Sequence, residues 1–363
     1  MLAGGWLSFE QFMDLALYAP GLGYYSAGAR KLGPGGDFTT APEISRLFGG
    51  CVARQCAQVL GALGGGSLLE IGAGSGRLAV DVLRRMETLG ALPDEYCILE
   101  ISADLRERQR HLIALELPHL HQRVRWLDAP PDRGFRGAII ANEVLDALPV
   151  ARFSWWPDRV EEWGVGVDGE QFIWTSRPAE ARLQSAVGEI AATNRDWQGG
   201  YRSELCLRMR DWTASVTQCL DAGVVLWLDY GLPRAHYYLA ERHEGTLIGH
   251  FRQRAVEDVL ANPGLQDITA WVDFTELAHS GDSAGFDVVG FTTQALFLAG
   301  VGVEQEMQFL GGGEDAAAAR LAGQARKLLM PGEMGERFKV MAWARNVDLD
   351  LHGFSIRNFL HSL

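Results

Sequence analysis

Residues 68–78 read LLEIGAGSGRL. An apolar run ends in Glu70-Ile71-Gly72, glycines then recur at Gly74 and Gly76 around Ala73, and a helical pattern begins near Arg77. Glycine tolerates the sharp backbone turns that a chain needs to leave a strand, and the free amides at the start of a helix can face a ligand. The segment therefore predicts a buried strand, a tight turn and a helix, the opening unit of an α/β sheet. The dinucleotide fingerprint is G-x-G-x-x-G, whereas this stretch reads G-x-G-x-G with an acid two residues ahead of the first glycine. Amides with no strong need to hold a pyrophosphate, beside a carboxylate that can meet a cationic amine, suit the amino-acid end of S-adenosylmethionine better than NAD.

Outward from this turn, short apolar runs alternate with helical patterns, as in a mostly parallel sheet covered on both faces. The runs are 67–72, 96–102, 124–129, 137–144 and 224–231, with helices over 77–89 and 103–117 and a final strand over 337–345. The fold class read from this rhythm is α/β, a Rossmann-like sheet. Glu100, with Ile101 beside it, ends the second run, where a carboxylate can accept hydrogen bonds from both ribose hydroxyls. Asp128 ends the third and can face the adenine. Three acids at successive strand ends make a nucleotide-like ligand a stronger reading than a bare strand-to-helix turn.

The fourth run leads into ANEVLDALPV, residues 141–150. Asn142, Glu143 and Asp146 gather where ligands bind in open α/β sheets. They can be turn caps with a solvated Glu143, or they can hold an amine or guanidinium beside a methyl group. Upstream, GGDFTTAPEIS (35–45) has a glycine pair, Asp37, Thr39 and Glu43 before a helix predicted over 43–63. One reading is a turn with a helix start. The other is a pocket-closing segment, with Asp37 and Thr39 near the cofactor and Glu43 facing a cationic substrate.

The remaining stretches divide the chain into four parts: 1–66, an N-terminal helical extension with the pocket-closing segment; 67–150, the first part of the core; 151–222, an inserted α+β region on the substrate side; and 223–363, the remainder of the core with further insertions. Residues 6–18 show helical spacing after a Ser8 cap, 152–175 alternate around Asp168-Gly169, 178–193 look helical, and 311–325 enter a surface helix.

The 363 residues carry 33 Lys+Arg against 46 Asp+Glu, a formal charge of −13, which repels nucleic acid and favours a cationic partner. Five scattered cysteines lack C-x-x-C or zinc-like spacing and read as reduced thiols. His119-x-His121 and the series His236, His243, His250 have no ligand-like company, so no metal is assigned. The start lacks the features of a secretory or organelle presequence, and no apolar run is long enough to span a membrane. The expected compartment is the cytoplasm of a bacterial-type cell, or a mitochondrion if a presequence has been removed.

The segments LALYAPGLGYYS (15–26), GGDFTTAPEISRLFG (35–49), LLEIGAGSGRL, YCILEIS, ANEVLDALPV, LDYG (228–231), GTL (245–247) and GLQDITAWVDFTEL (264–277) follow one another in the order of a known family. Through them the chain resembles the MidA-like family of class I methyltransferases, also known as the mitochondrial complex I assembly factor 7 family. The resemblance implies a seven-stranded methyltransferase sheet, S-adenosyl-L-methionine as cofactor with S-adenosylhomocysteine as product, and methylation of an arginine on a protein substrate. It implies that Gly72, Gly74 and Gly76 line the methionine and ribose end and that Glu100 grips the ribose. It also places Asn142 and Glu143 near the sulfonium, with Asp146 behind them. GTLIGHFRQRA (245–255) departs from the family order and leaves His250 without a role. A cofactor-binding assembly factor without turnover and a methyltransferase acting on a small amine remain alternatives. An NAD-linked oxidoreductase fits less well, because the second half has no readable hydride-transfer arrangement.

Overall fold

The structure, a computed structural model, describes residues 5–26, 40–252, 254–311 and 315–363. Asp37 and Thr39 lie outside the described residues. Seven strands build the central sheet: β1 (Ser67–Ile71), β2 (Tyr96–Leu99), β3 (Val124–Leu127), β4 (Phe135–Asn142), β5 (Leu220–Leu232), β6 (Asp287–Thr293) and β7 (Phe338–Arg345). Their spatial order is β6-β7-β5-β4-β1-β2-β3, and the two-residue strand Val272–Asp273 adds to the end of β5. From β3 to β5 all neighbours are parallel; β7 runs antiparallel to both β5 and β6.

Both faces are covered, and the strands alternate between two cores as their period of two requires. Leu68, Ile140 and Leu226 pack on one side against helices Arg46–Leu63 and Arg77–Thr88. Leu69, Ile139, Val225 and Trp227 pack on the other against Met209–Thr217 and Phe274–Ser283. The order reverses between β1 and β4, whose chains leave in opposite lateral directions. That switch point opens a crevice at the carboxyl ends of the strands.

A second, antiparallel sheet joins Ala151–Trp156, Arg159–Asp168, Gln171–Pro178 and Tyr201–Leu205. Trp6–Ser8 pairs with its residues 164–166, a strand too short for periodicity to reveal. Helix Phe9–Tyr18 follows immediately. Ser8 Oγ accepts the Gln11 amide and Gln11 Oε1 accepts the Ser8 amide, a reciprocal cap that sets the helix start. Its buried Phe9, Phe12, Met13, Ala16 and Leu17 share a core with Ala147, Val150, Val165 and Ile268. The amino terminus therefore ties the second sheet to the loop that follows β4.

A helix and a strand are among the elements that differ from the sequence reading. The helix expected over 43–63 is broken into Ala41–Ile44 and Arg46–Leu63, because Ser45 is extended (φ −160°, ψ 139°) and caps the second helix through the Leu47 amide. Strand β6 went unread because its alternation is weak: Asp287 is exposed, Val288 and Val289 are half-buried, and the register shifts between Val288 and Gly290.

Candidate active site

A cavity of about 440 Å³ lies over the carboxyl ends of β1, β2 and β4. Its floor is the glycine turn. Gly72, Gly74 and Gly76 take φ of 66°, 54° and 84°, and the Gly72 amide donates to Leu99 O at 2.9 Å. A Cβ on Gly72 would come within 3.1 Å of Val144 Cγ2, so a side chain there would strain the backbone and press on the neighbouring loop. Glu70 lines the cavity yet is only 2% exposed, and its carboxyl accepts a hydrogen bond from Tyr96 Oη at 2.7 Å. Burial pushes its pKa up to about 7, partly offset by that bond. Glu70 thus lines the cavity with its carboxyl held by Tyr96.

Glu100 stands one residue beyond β2. Its Oε1 accepts the Ser102 amide at 3.0 Å and its Oε2 accepts Gln109 Nε2 at 3.1 Å, while the same nitrogen donates to Gly74 O at 2.9 Å. One glutamine therefore ties the acid to the glycine turn. Burial raises the Glu100 pKa, and these donors oppose the rise. Ile101 projects its apolar side chain at 72% exposure beside the cavity. Arg106, which the sequence reading missed, binds the carbonyls of Glu100 and Leu127 and the carboxylate of Asp128, so that Asp128 is held at the rim by an ion pair.

The wall opposite is the loop after β4. Glu143 adopts φ 54°, a conformation rare for a residue with a side chain. The residue keeps some solvent contact, but its carboxyl is enclosed: Oε1 accepts the Ala41 amide and Asn142 Nδ2, each at 3.3 Å. Enclosure, then repulsion from Asp146, drives its pKa up to about 8. Asp146 is 7% exposed, shares a hydrogen bond with Tyr230, and leaves Oδ1 without a partner among the described residues. Burial raises its pKa as well.

Two further carboxylates complete this group, and neither was singled out from the sequence. Asp229 at the end of β5 is 1% exposed, and its pKa is driven well up by burial and by Asp146 and Glu143. Asp267, 2% exposed, accepts the hydroxyl of Tyr25 at 3.1 Å. Tyr25 stacks on Tyr18, whose hydroxyl donates to Ala147 O at 2.9 Å. The only sequence signal for these residues was their presence in LDYG, GLQDITAW and LALYAPGLGYYS, where they carried the resemblance without a role. The groups acting most strongly on Glu143, Asp146 and Asp229 are burial, other carboxylates and hydrogen-bond donors, with no lysine or arginine.

Glu43 reaches the edge of the cavity through Ser75, which lines it. Its carboxylate takes the hydroxyl of Ser75, bracing the glycine turn, while Thr40 and Pro42 do line the cavity. His250 lies in strand Ile248–Phe251, away from the lining. The lining fits a nucleoside with a cationic sulfur. The glycine turn leaves room for close approach, Glu100 is fixed by two donors at the end of β2, Ile101 offers an apolar face, and among the described residues no lysine or arginine is among the groups that most strongly shift Glu143. The volume falls in the range of small-ligand sites.

Comparison with known proteins gives the following. A family model described as "Putative S-adenosyl-L-methionine-dependent methyltransferase" matches residues 51–292. A zebrafish (Danio rerio) protein named protein arginine methyltransferase NDUFAF7, mitochondrial, is 31% identical over 374 residues, covering 93% of this chain and 83% of that protein. Its human namesake is 28% identical over 377 residues, covering 93% and 80%. A crystal structure of a COG1565 superfamily member from Burkholderia thailandensis, bound to S-adenosyl-homocysteine, superposes with a TM-score of 0.93 at 40% identity, covering 99% of this chain and 93% of that one.

Proposed function

Because the chain belongs to the MidA-like family of S-adenosyl-L-methionine-dependent methyltransferases, we propose that it methylates a guanidinium nitrogen of an arginine side chain in a protein substrate. The observation that carries this reading is the enclosed carboxyl of Glu143 in the cavity lining, backed by the buried carboxyls of Asp146, Asp229 and Asp267 behind it, with no lysine or arginine among the described groups that most strongly shift the first three. Buried acids of one sign repel one another and are held partly protonated; a guanidinium entering beside them relieves both costs. The names of the zebrafish and human relatives, which specify arginine, point the same way.

S-adenosylmethionine, when bound, supplies a methyl group made electrophilic by its sulfonium. The chain's own residues do the rest. The Gly72–Ser75 turn would hold the amino-acid end, Glu100 the ribose hydroxyls, and Ile101 with Asp128 the adenine. Asn142 and Glu143 form the wall facing the reacting end. Glu143 would accept hydrogen bonds from the guanidinium and orient one nitrogen, since a carboxylate matches that planar fork. Alignment is the main demand of such a transfer, and the proton shed by the methylated product can pass to a carboxyl whose pKa lies near 8.

The reading is tested by incubating the purified protein and methyl-labelled S-adenosylmethionine with extract of a host strain lacking it. Label in the protein fraction, released on acid hydrolysis as methylarginine and absent with Glu143→Gln, is the expected result. Label in methyllysine or in small amines, or none under turnover conditions, overturns it.

A further inference from the structure

Glu143 holds a left-handed backbone conformation at the reacting end of the cavity, and something must stabilise it. The described residues contain only two other non-glycine positions with positive φ, Arg252 and Asn346, and neither lines this cavity. The backbone of the turn is restrained from the end of β5. The Glu143 amide donates to Leu228 O at 2.8 Å. The next three amides, of Val144, Leu145 and Asp146, all converge on one oxygen, Asp229 Oδ2, at 3.1, 2.9 and 3.3 Å. The other oxygen, Oδ1, is fixed by the Tyr230 amide at 2.9 Å.

Four consecutive amides, 143 through 146, are therefore fastened to Leu228 and Asp229. A carboxylate that accepts several backbone amides acts as a rigid anchor, and three successive N–H groups around one oxygen define a compact anion-binding turn. On the anchored turn the Glu143 carboxyl meets the Ala41 amide and Asn142 at the cavity wall. Asp229 itself does not line the cavity. We propose that Asp229 is a positioning residue for methyl transfer, clamping the turn after β4 so that Glu143 is forced into its left-handed conformation and aimed at the reacting end of the bound methyl donor.

The inference uses the cofactor assignment but not the identity of the methyl acceptor. Its test therefore needs only purified ligands and stays separable from the arginine reading. The first measurement is the ratio of affinities for S-adenosylmethionine and S-adenosylhomocysteine by calorimetry between pH 6 and 9. An ionised Glu143 facing the sulfonium favours the charged ligand over the neutral one. Other groups surround it: Asp146 on the same turn, Asp229 and Tyr230 on β5, Asp267 in the strand Asp267–Thr269, Asp14 and Tyr18 on the N-terminal helix and Tyr25 in the turn after it, Glu70 on β1, and Arg208 at the rim. Glu143→Gln removes only the first contribution and so also reports the ligands' own amino groups. Relative to Glu143→Gln, the wild-type ratio should rise roughly tenfold across this range as Glu143 ionises. Asp229→Asn should lose that rise while still binding S-adenosylhomocysteine.

The second measurement is a stability cycle. Glycine takes the left-handed conformation freely, so in a Glu143→Gly background the clamp has less to hold. Asp229→Asn should lower the melting temperature by less in that background than in the wild type. If Asp229→Asn alone fails to fold, the double variant should fold. A wild-type pH response in Asp229→Asn, or in Glu143→Gln, overturns the proposal. So does an equal loss of melting temperature in both backgrounds, or a double variant that is also unfolded.

Discussion

Glu143 is a carboxyl that the folded chain holds protonated where an unfolded chain would release its proton, and this has a measurable consequence. Its pKa stands at about 8 against an ordinary value of 4.5, and those of Glu70 and Asp146 are displaced in the same direction. Below pH 4.5 both states are protonated and the contribution to stability is complete. As pH rises toward 8 the unfolded chain ionises first, so stability falls across that interval and the loss is finished once the folded carboxyl has also ionised. The melting temperature of the ligand-free protein should therefore decrease from pH 5 to pH 8, and Glu143→Gln should flatten the slope. A melting temperature that climbs through this window would contradict the electrostatics. At the other end of the cavity, Glu100→Ala removes the acceptor of the Ser102 and Gln109 donors and the proposed ribose contacts. Hydrogen bonds to a charged group contribute about 1.5–3 kcal/mol, so affinity for S-adenosylhomocysteine should fall roughly ten- to a hundredfold by calorimetry. Glu100 and Glu143 were legible as sequence because each sits at the end of an apolar run. Asp229 and Asp267 were not, since their importance comes from contacts to amides and hydroxyls 83 or more residues away.

Among the elements, the break at Ser45 does more than start a helix. Its Oγ accepts the Leu47 amide at 3.2 Å and donates to Gln324 at 2.9 Å, and the extended residue turns Glu43 back toward Ser75 in the glycine turn. Losing such a cap typically costs about 1 kcal/mol. Ser45→Ala should lower stability by about that amount in urea unfolding, and a value near zero would show that packing alone holds the junction. The periodicity of 43–63 runs through this break without a signal, because Ile44 and Leu47 are three residues apart and mimic one continuous helix. Strands β1, β2, β4 and β5 were readable as apolar runs because parallel strands buried on both faces need them. The half-exposed edge strand β6 and the three residues of Trp6–Ser8 lack that composition, and they acquire strand geometry only from their neighbours.

For the whole molecule, the amino-terminal helix, the second sheet and the loop after β4 share one core, which places Tyr18 and Asp14 at the cavity. The chain carries a formal charge of −13, and the described residues hold no helix long and apolar enough to cross a membrane. A negative protein with an acidic site should attract a cationic peptide from a distance. The KM for such a substrate should rise with ionic strength, while affinity for S-adenosylhomocysteine stays nearly constant. The central claim is that the acidic wall selects an arginine of a protein. It is tested most directly by mass spectrometry of the host proteome with the wild-type chain, without it, and with Glu143→Gln in its place. The account predicts at least one arginine that carries a methyl group only when the wild-type chain is present; identical arginine marks in all three would contradict it.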